Sequence, residues 1–278
     1  MNYKLIAIDI DGTLLSTQGI ITERNYVTLK KAISQGIIVA LCTGRSYFMA
    51  QKVVGGFDFK LPLVLHNGAQ IVNSNDGQMI AHWTLTPETA RQGVMLMKEF
   101  ALEPIIYDFH QGKHILVYES VDPTNEAYVR YMSTKEGILY KTDNLVSYLN
   151  HNPTQLVAIH QEAIIRDVLP VLKNRLNANV FTSGRLYNLK YWYLEVLQSG
   201  ASKATAVEYL AKLHNIDQKE IMAIGDNFND LEMMEYASLS VAMENAPDEV
   251  KAIADFVTDS NNDDGVARAI ERFVFSSV

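Results

Sequence analysis

Four short apolar runs limit what this chain can fold into. Leu5 to Ile8, Ile37 to Cys42, Leu61 to Leu65 and Ile221 to Ile224 contain no polar residue and are too short for helices. Runs of this length, rich in β-branched side chains, read as strands buried on both faces of a parallel sheet. Between the first two lies a helical pattern that Thr22 caps and Gly36 ends, with Tyr26, Leu29 and Ile33 on one face. Buried strands alternating with helices predict a parallel sheet flanked by helices. In such sheets ligands bind beyond the carboxyl ends of the strands.

Polar residues gather at those ends. The first strand closes in Asp9-Ile10-Asp11-Gly12, the second in Thr43-Gly44-Arg45-Ser46 and the third in His66-Asn67-Gly68. The strand at Ile221 to Ile224 runs into Gly225-Asp226-Asn227-Phe228-Asn229-Asp230 and a helix from Leu231 to Tyr236. Side chains two apart on a strand point the same way, so Asp9 and Asp11 cooperate if the strand continues. A turn at Gly12 instead frees the Asp11 carboxylate and the backbone of Ile10 and Asp11 for a ligand. Carboxylates this close need a metal, a shared proton or exposure to water. Ser202 can cap a helix that carries Lys203 in its first turn, where a cation opposes the helix dipole and points to a negative partner.

The formal charge of −8 excludes a dominant electrostatic interaction with nucleic acid. A single cysteine, Cys42, excludes a disulfide framework and a multi-cysteine metal site. No signal peptide and no apolar stretch of membrane-spanning length is visible, so a cytoplasmic setting and no membrane partner are expected. Residues 85–191 show a different pattern, with strands that alternate apolar and polar positions and helices between them. This predicts an inserted α/β domain built on a half-exposed antiparallel sheet with helices on one face, inside a core formed by residues 1–84 and 192–278. The spacing of His110 and His114 fits exposed turn residues better than a metal pair. Tyr187, Tyr191, Trp192 and Tyr193 read as packing aromatics.

Phosphoryl transfer needs the residue types found at the strand ends. A carboxylate can act as nucleophile and a second acid can protonate the leaving oxygen. Hard oxygen ligands hold Mg²⁺, and a hydroxyl with an ammonium can cradle the transferred group. With DIDGTLL at 9–15, CTGR at 42–45, SKATA at 202–206, GDNFNDLEM at 225–233 and VAMENA at 241–246, the chain resembles the Cof-like phosphatases of the haloacid dehalogenase superfamily.

The resemblance implies a Rossmann-like α/β core, a large α/β cap between the second and third motifs, and Mg²⁺ as cofactor. It implies Asp9 as nucleophile, Asp11 as general acid and base, and Lys203 as the cation on the transferred group. Ile10, Thr43, Gly44, Arg45, Lys203 and Asn229 become substrate-binding residues. Asp9, Asp11, Asp226 and Asp230 become the metal set, with Asp230 on Lys203 or on a metal-bound water. Arg45 is expected either to read a second group of the substrate or to form a surface ion pair. Ala204 departs from the family's usual glycine, and Phe228 is less usual. The expected activity is Mg²⁺-dependent hydrolysis of phosphate monoesters of small metabolites through an aspartyl-phosphate, by a monomer or weak homo-oligomer. The alternatives are a phosphotransferase of phosphomannomutase type and a non-catalytic phosphometabolite sensor.

Overall fold

The computed structural model describes residues 3–185 and 190–276; Tyr187 lies outside them. The first segment supplies β1 (Leu5–Asp9), α1 (Glu23–Ser34), β2 (Ile38–Cys42), α2 (Tyr47–Val54), β3 (Pro62–Leu65), β4 (Gln70–Asn73) and β5 (Met79–His82). The middle supplies α3 (Pro87–Glu99), β6 (Ile105–His110), β7 (Lys113–Tyr118), α4 (Glu126–Ser133), β8 (Leu139–Lys141) and α5 (Leu145–Tyr148). It continues with β9 (Gln155–Gln161), α6 (Glu162–Arg175), β10 (Ala178–Arg185) and β11 (Tyr191–Gln198). The last segment supplies α7 (Lys203–Leu213), β12 (Ile221–Gly225), α8 (Leu231–Tyr236), β13 (Leu239–Ala242), α9 (Asp248–Lys251), β14 (Phe256–Val257) and α10 (Gly265–Ile270). Two compact units result, one of Met1–Ala81 with Ser202–Val278 and one of His82–Ala201.

The first unit is built on an eight-stranded sheet of order β14-β13-β12-β1-β2-β3-β4-β5. Its strands from β14 to β3 are parallel, and β4 runs antiparallel to β3. β1 is flanked on both sides, with Leu5 level with Ile221 and with Ile38. The chain goes from β1 outward through β2 and β3, then returns to the opposite side of β1 at β12. The β1–β12 boundary is therefore the switch point, where the crevice of an open α/β sheet lies.

Period-two alternation divides β1 between two layers. Ile6, Ile8 and Ile10 pack with Leu29 and Ala32 of α1, Ala50 and Val54 of α2, and Val266 and Ile270 of α10. Each such buried aliphatic side chain contributes roughly 1.5–3 kcal/mol. Leu5, Ala7 and Asp9 point to the other face, where α7 and α8 pack on β3 and β12. The predicted stripe of α1 is shifted. Its buried residues are Asn25, Thr28, Leu29 and Ala32, while Tyr26 and Ile33 lie at the margin. Asn25 is tolerated there because its Oδ1 accepts from the Ala267 N–H at 2.9 Å.

The second unit carries a six-stranded sheet of order β10-β11-β9-β6-β7-β8, antiparallel except for β7 with β8. Two expectations need correction here. The segment from residue 192 does not begin the return to the core, because β11 lies between β9 and β10 and pairs with both. The inserted unit accordingly runs to Ala201. Helices also cover both faces. Ile106, Val117, Leu156 and Ala158 pack with residues of α3, α5 and α6, while Ile105, Tyr107, Leu116, Val157 and Ile159 pack with Ala127, Tyr128, Tyr131 and Met132 of α4. Among the described residues no helix is long and apolar enough to cross a membrane.

Burial in this unit gives stability a dependence on pH. His82, whose Nε2 lies 2.9 Å from Thr154 Oγ1, and His114 are both pushed down to about 4 by desolvation. Histidine in an unfolded chain titrates near 6.5. Between about pH 6.5 and 4 these histidines in the unfolded chain therefore bind protons that they refuse in the folded one, and their contribution to stability falls as pH falls. In the absence of metal, the change in Tm from pH 7 to pH 5 should be less unfavourable in His82→Gln than in the wild type, because the buried carboxylates Asp9 and Asp226, held above their ordinary range, act in the opposite sense in both proteins.

Candidate active site

The carboxyl end of β1 places Asp9 under the start of α7. Thr205 N–H bonds to Ser202 Oγ at 3.2 Å, so the predicted cap is formed, and Lys203 follows in the first turn. The Lys203 side chain is 1% exposed and its Nζ donates to Asp9 Oδ1 and Asp230 Oδ1, both at 2.6 Å. Desolvation lowers the Lys203 pKa, but Asp230 and Asp9 outweigh it and hold the ammonium well above its ordinary value. Burial raises Asp9 well above the usual carboxylate range. Repulsion from Asp230 adds to this, and Lys203 only partly opposes it.

The loop after β12 completes this cluster. Asp230 is fully buried, and its Oδ2 accepts from the N–H groups of Asp226 at 3.1 Å and Asn227 at 3.0 Å. The Asp226 Oδ1 accepts from Thr13 Oγ1 at 2.7 Å. Gly12, at φ +88°, lets β1's turn pass close to this group, since a Cβ there would come within 2.3 Å of Asp226 Oδ2. Burial pushes Asp226 up to about 6; the hydrogen bond from Thr13 opposes it and Asp230 reinforces it.

Asp9, Asp226 and Asp230 can each bring a carboxylate oxygen within 4.8 Å of the others. Two carboxylates thus share one ammonium, with a third beside them, in a largely buried space. Such a cluster is short of positive charge, and its hard oxygen donors suit a divalent metal ion. The residues present fit a metal site.

A second group lies at the ends of β2 and β3. Thr43 is buried, accepts from the Arg45 N–H at 3.1 Å and donates to Asp11 Oδ2 at 3.4 Å. The Arg45 guanidinium forks onto Asp11, with Nε 2.8 Å from Oδ2 and Nη2 2.5 Å from Oδ1. Arg45 thus forms an ion pair, and its partner is Asp11. Gly44 lies against Asn67, whose Oδ1 accepts from Asn229 Nδ2 at 3.1 Å. The Ile10 side chain is wholly in the core and its carbonyl accepts from Leu15 N–H at 2.9 Å, so a ligand could meet only its backbone.

Sequence reasoning gave no role to Thr13 or Asn245. The Asn245 Nδ2 donates to the Gly12 carbonyl at 2.9 Å, and its Oδ1 takes the Asn261 N–H. Asn261 in turn donates to the Leu15 carbonyl at 2.7 Å, so the loops after β13 and β14 brace the turn after β1. The signal for these was present in the DGT and MENA segments, but hydrogen bonds across such distances in sequence leave no periodicity to read.

Known proteins share this chain's sequence pattern and fold. A family model described as haloacid dehalogenase-like hydrolase matches residues 6–270. The 5-amino-6-(5-phospho-D-ribitylamino)uracil phosphatase YwtE of Bacillus subtilis is 28% identical over 293 residues, covering 98% of each chain. The crystal structure of TM0651 from Thermotoga maritima superposes with a TM-score of 0.81 at 29% identity, over 98% of this chain and 97% of that one. A haloacid dehalogenase-like hydrolase from Bacteroides thetaiotaomicron gives a TM-score of 0.79 at 28% identity, over 98% and 99%. With a parallel-sheet core, an inserted second sheet and the acidic cluster at the switch point, this chain belongs to the haloacid dehalogenase-like hydrolases and is a phosphoric monoester hydrolase among them.

Proposed function

We propose that the protein removes phosphate from small phosphorylated metabolites, sugar or polyol phosphates foremost, with Mg²⁺ as its metal. The observation that carries the reading is the buried bridge from Lys203 to Asp9 and Asp230 with Asp226 beside it. A site that only binds phosphate has no use for a carboxylate held in contact with the cation that would meet the phosphate. The similarity to YwtE supports a phosphorylated polyol chain as substrate.

Asp9 attacks phosphorus, the ester P–O bond breaks, and Asp11 gives its proton to the departing oxygen. Asp11 then takes a proton from water as the water oxygen displaces Asp9 from phosphorus, which restores both residues. Lys203, Thr43, the Gly44 N–H and Asn229 hold the non-bridging oxygens. Asp9, Asp226 and the Asp11 carbonyl would hold Mg²⁺, which when bound offsets the charge of the carboxylates and of the phosphoryl group. Asp230 has given its oxygens to Lys203 and two backbone N–H groups, so it acts by holding Lys203 and the Asp226 loop. Both Asp11 oxygens are occupied by Arg45, and Asp11 can present an O–H only when that fork withdraws. An anionic substrate competes for the guanidinium and draws it away. The inserted unit selects the leaving group.

With p-nitrophenyl phosphate, Asp9→Asn should lower kcat on the order of a thousandfold or more while the far-UV spectrum is kept. Wild-type activity in that variant would sink the mechanism. Chelation should abolish phosphate release and Mg²⁺ should restore it. Independently of activity, Mg²⁺ should raise the Tm of the wild type but not of Asp226→Asn. Lys203→Met leaves Asp9 and Asp230 buried without their cation and should cost about 3–5 kcal/mol in urea unfolding.

A further inference from the structure

The turn that ends β3 is the most strained described stretch of backbone near the site. His66 (φ 50°), Asn67 (φ 51°) and Gly68 (φ 105°) all have positive φ. Residues other than glycine visit this region singly, and two in succession are costly. Nor is the turn free to relax, since His66 and Asn67 are only 2% and 6% exposed.

The strained turn touches three parts of the site at once. His66 N–H donates to the Arg45 carbonyl at 3.1 Å and Asn67 N–H to the Thr43 carbonyl at 3.0 Å, which ties it to the loop after β2. A Cβ on Gly68 would lie 2.0 Å from the Ser202 carbonyl oxygen, so the turn abuts the residue that caps α7 and precedes Lys203. The Asn67 side chain then reaches Asn229, whose Nδ2 donates one of its two hydrogens to Asn67 Oδ1.

From this geometry we infer that Asn67 is a positioning residue for phosphate, acting through Asn229. By accepting one N–H it fixes the orientation of the Asn229 amide and leaves the second N–H to donate to an anionic oxygen. Without this acceptor, the Asn229 amide can turn its oxygen toward the phosphate. The left-handed backbone at 67 is what brings Oδ1 to Asn229, which gives the strain a purpose. This inference rests on the phosphatase reading for its biological sense, but phosphate binding tests it separately.

Asn67→Gly is the informative variant, because glycine accepts a positive φ without strain and removes only the amide. In Mg²⁺-loaded protein, titration calorimetry with inorganic phosphate should show binding weakened about tenfold, as for a lost charge-assisted hydrogen bond. The Tm should stay within about 3 °C of wild type. In an Asn229→Ala background the same substitution should change phosphate binding by less than about twofold, since the group it orients is gone. Unchanged binding in Asn67→Gly, an equal loss in both backgrounds, or a loss that follows a collapse in Tm would each overturn the inference. If the wild type binds phosphate with this dependence but releases none from esters, the phosphatase reading fails and the role of Asn67 stands.

Discussion

The site depends on one buried ammonium. Lys203 holds Asp9, at the end of β1, to Asp230, after β12, and so joins the strands on either side of the switch point through a single atom. Two carboxylates at this depth would otherwise repel each other and refuse charge. With the ammonium between them they are held in place, and the surplus of negative charge falls on Asp226 and Asp9, where a metal ion can use it. The same contact fixes α7 over the sheet, because Lys203 is the first residue of that helix and cannot leave without exposing its partners. Electrostatics and packing here pull in one direction.

Around that contact the architecture divides the work by face. Odd positions of β1 carry Asp9 toward α7, and even positions bury Ile6, Ile8 and Ile10 beneath α1, α2 and α10. Movement of the chemical residues is resisted by an apolar layer they never touch. The turns add a second level of restraint, since Thr13, Asn245 and Asn261 tie the turn after β1 to the loops after β12, β13 and β14 by hydrogen bonds alone.

Most of the core could be read from the sequence because its strands are buried on both sides and their ends are polar. Leu5 to Ile8 admits few other interpretations, and Ser202 marks the start of α7 by an ordinary cap. The inserted unit was harder. Leu194, Val196 and Leu197 are as apolar in a central strand of that sheet as they would be in the core, so their pattern does not mark β11 as part of the inserted unit. Strand β14, with two residues, and β8, with three, are too short to show a period, and the Asn, Thr and Ser of β10 break its apolar pattern, as suits an edge strand. The fork of Arg45 onto Asp11 depends on a rotamer, and the left-handed turn at His66 and Asn67 depends on φ. Neither has a residue pattern of its own.

The switch point also orders events in time. Asp9 and its lysine are 194 residues apart in the chain, and Thr13 and Asp226 are 213 apart. As the chain leaves the ribosome, β1 to β5 emerge with one flank of β1 uncovered, and the whole inserted unit follows before β12 can fill that flank. During that interval Asp9 has neither its cation nor its companion carboxylates. Synthesis therefore assembles the acidic cluster only once β12 has filled that flank, after the whole inserted unit has emerged.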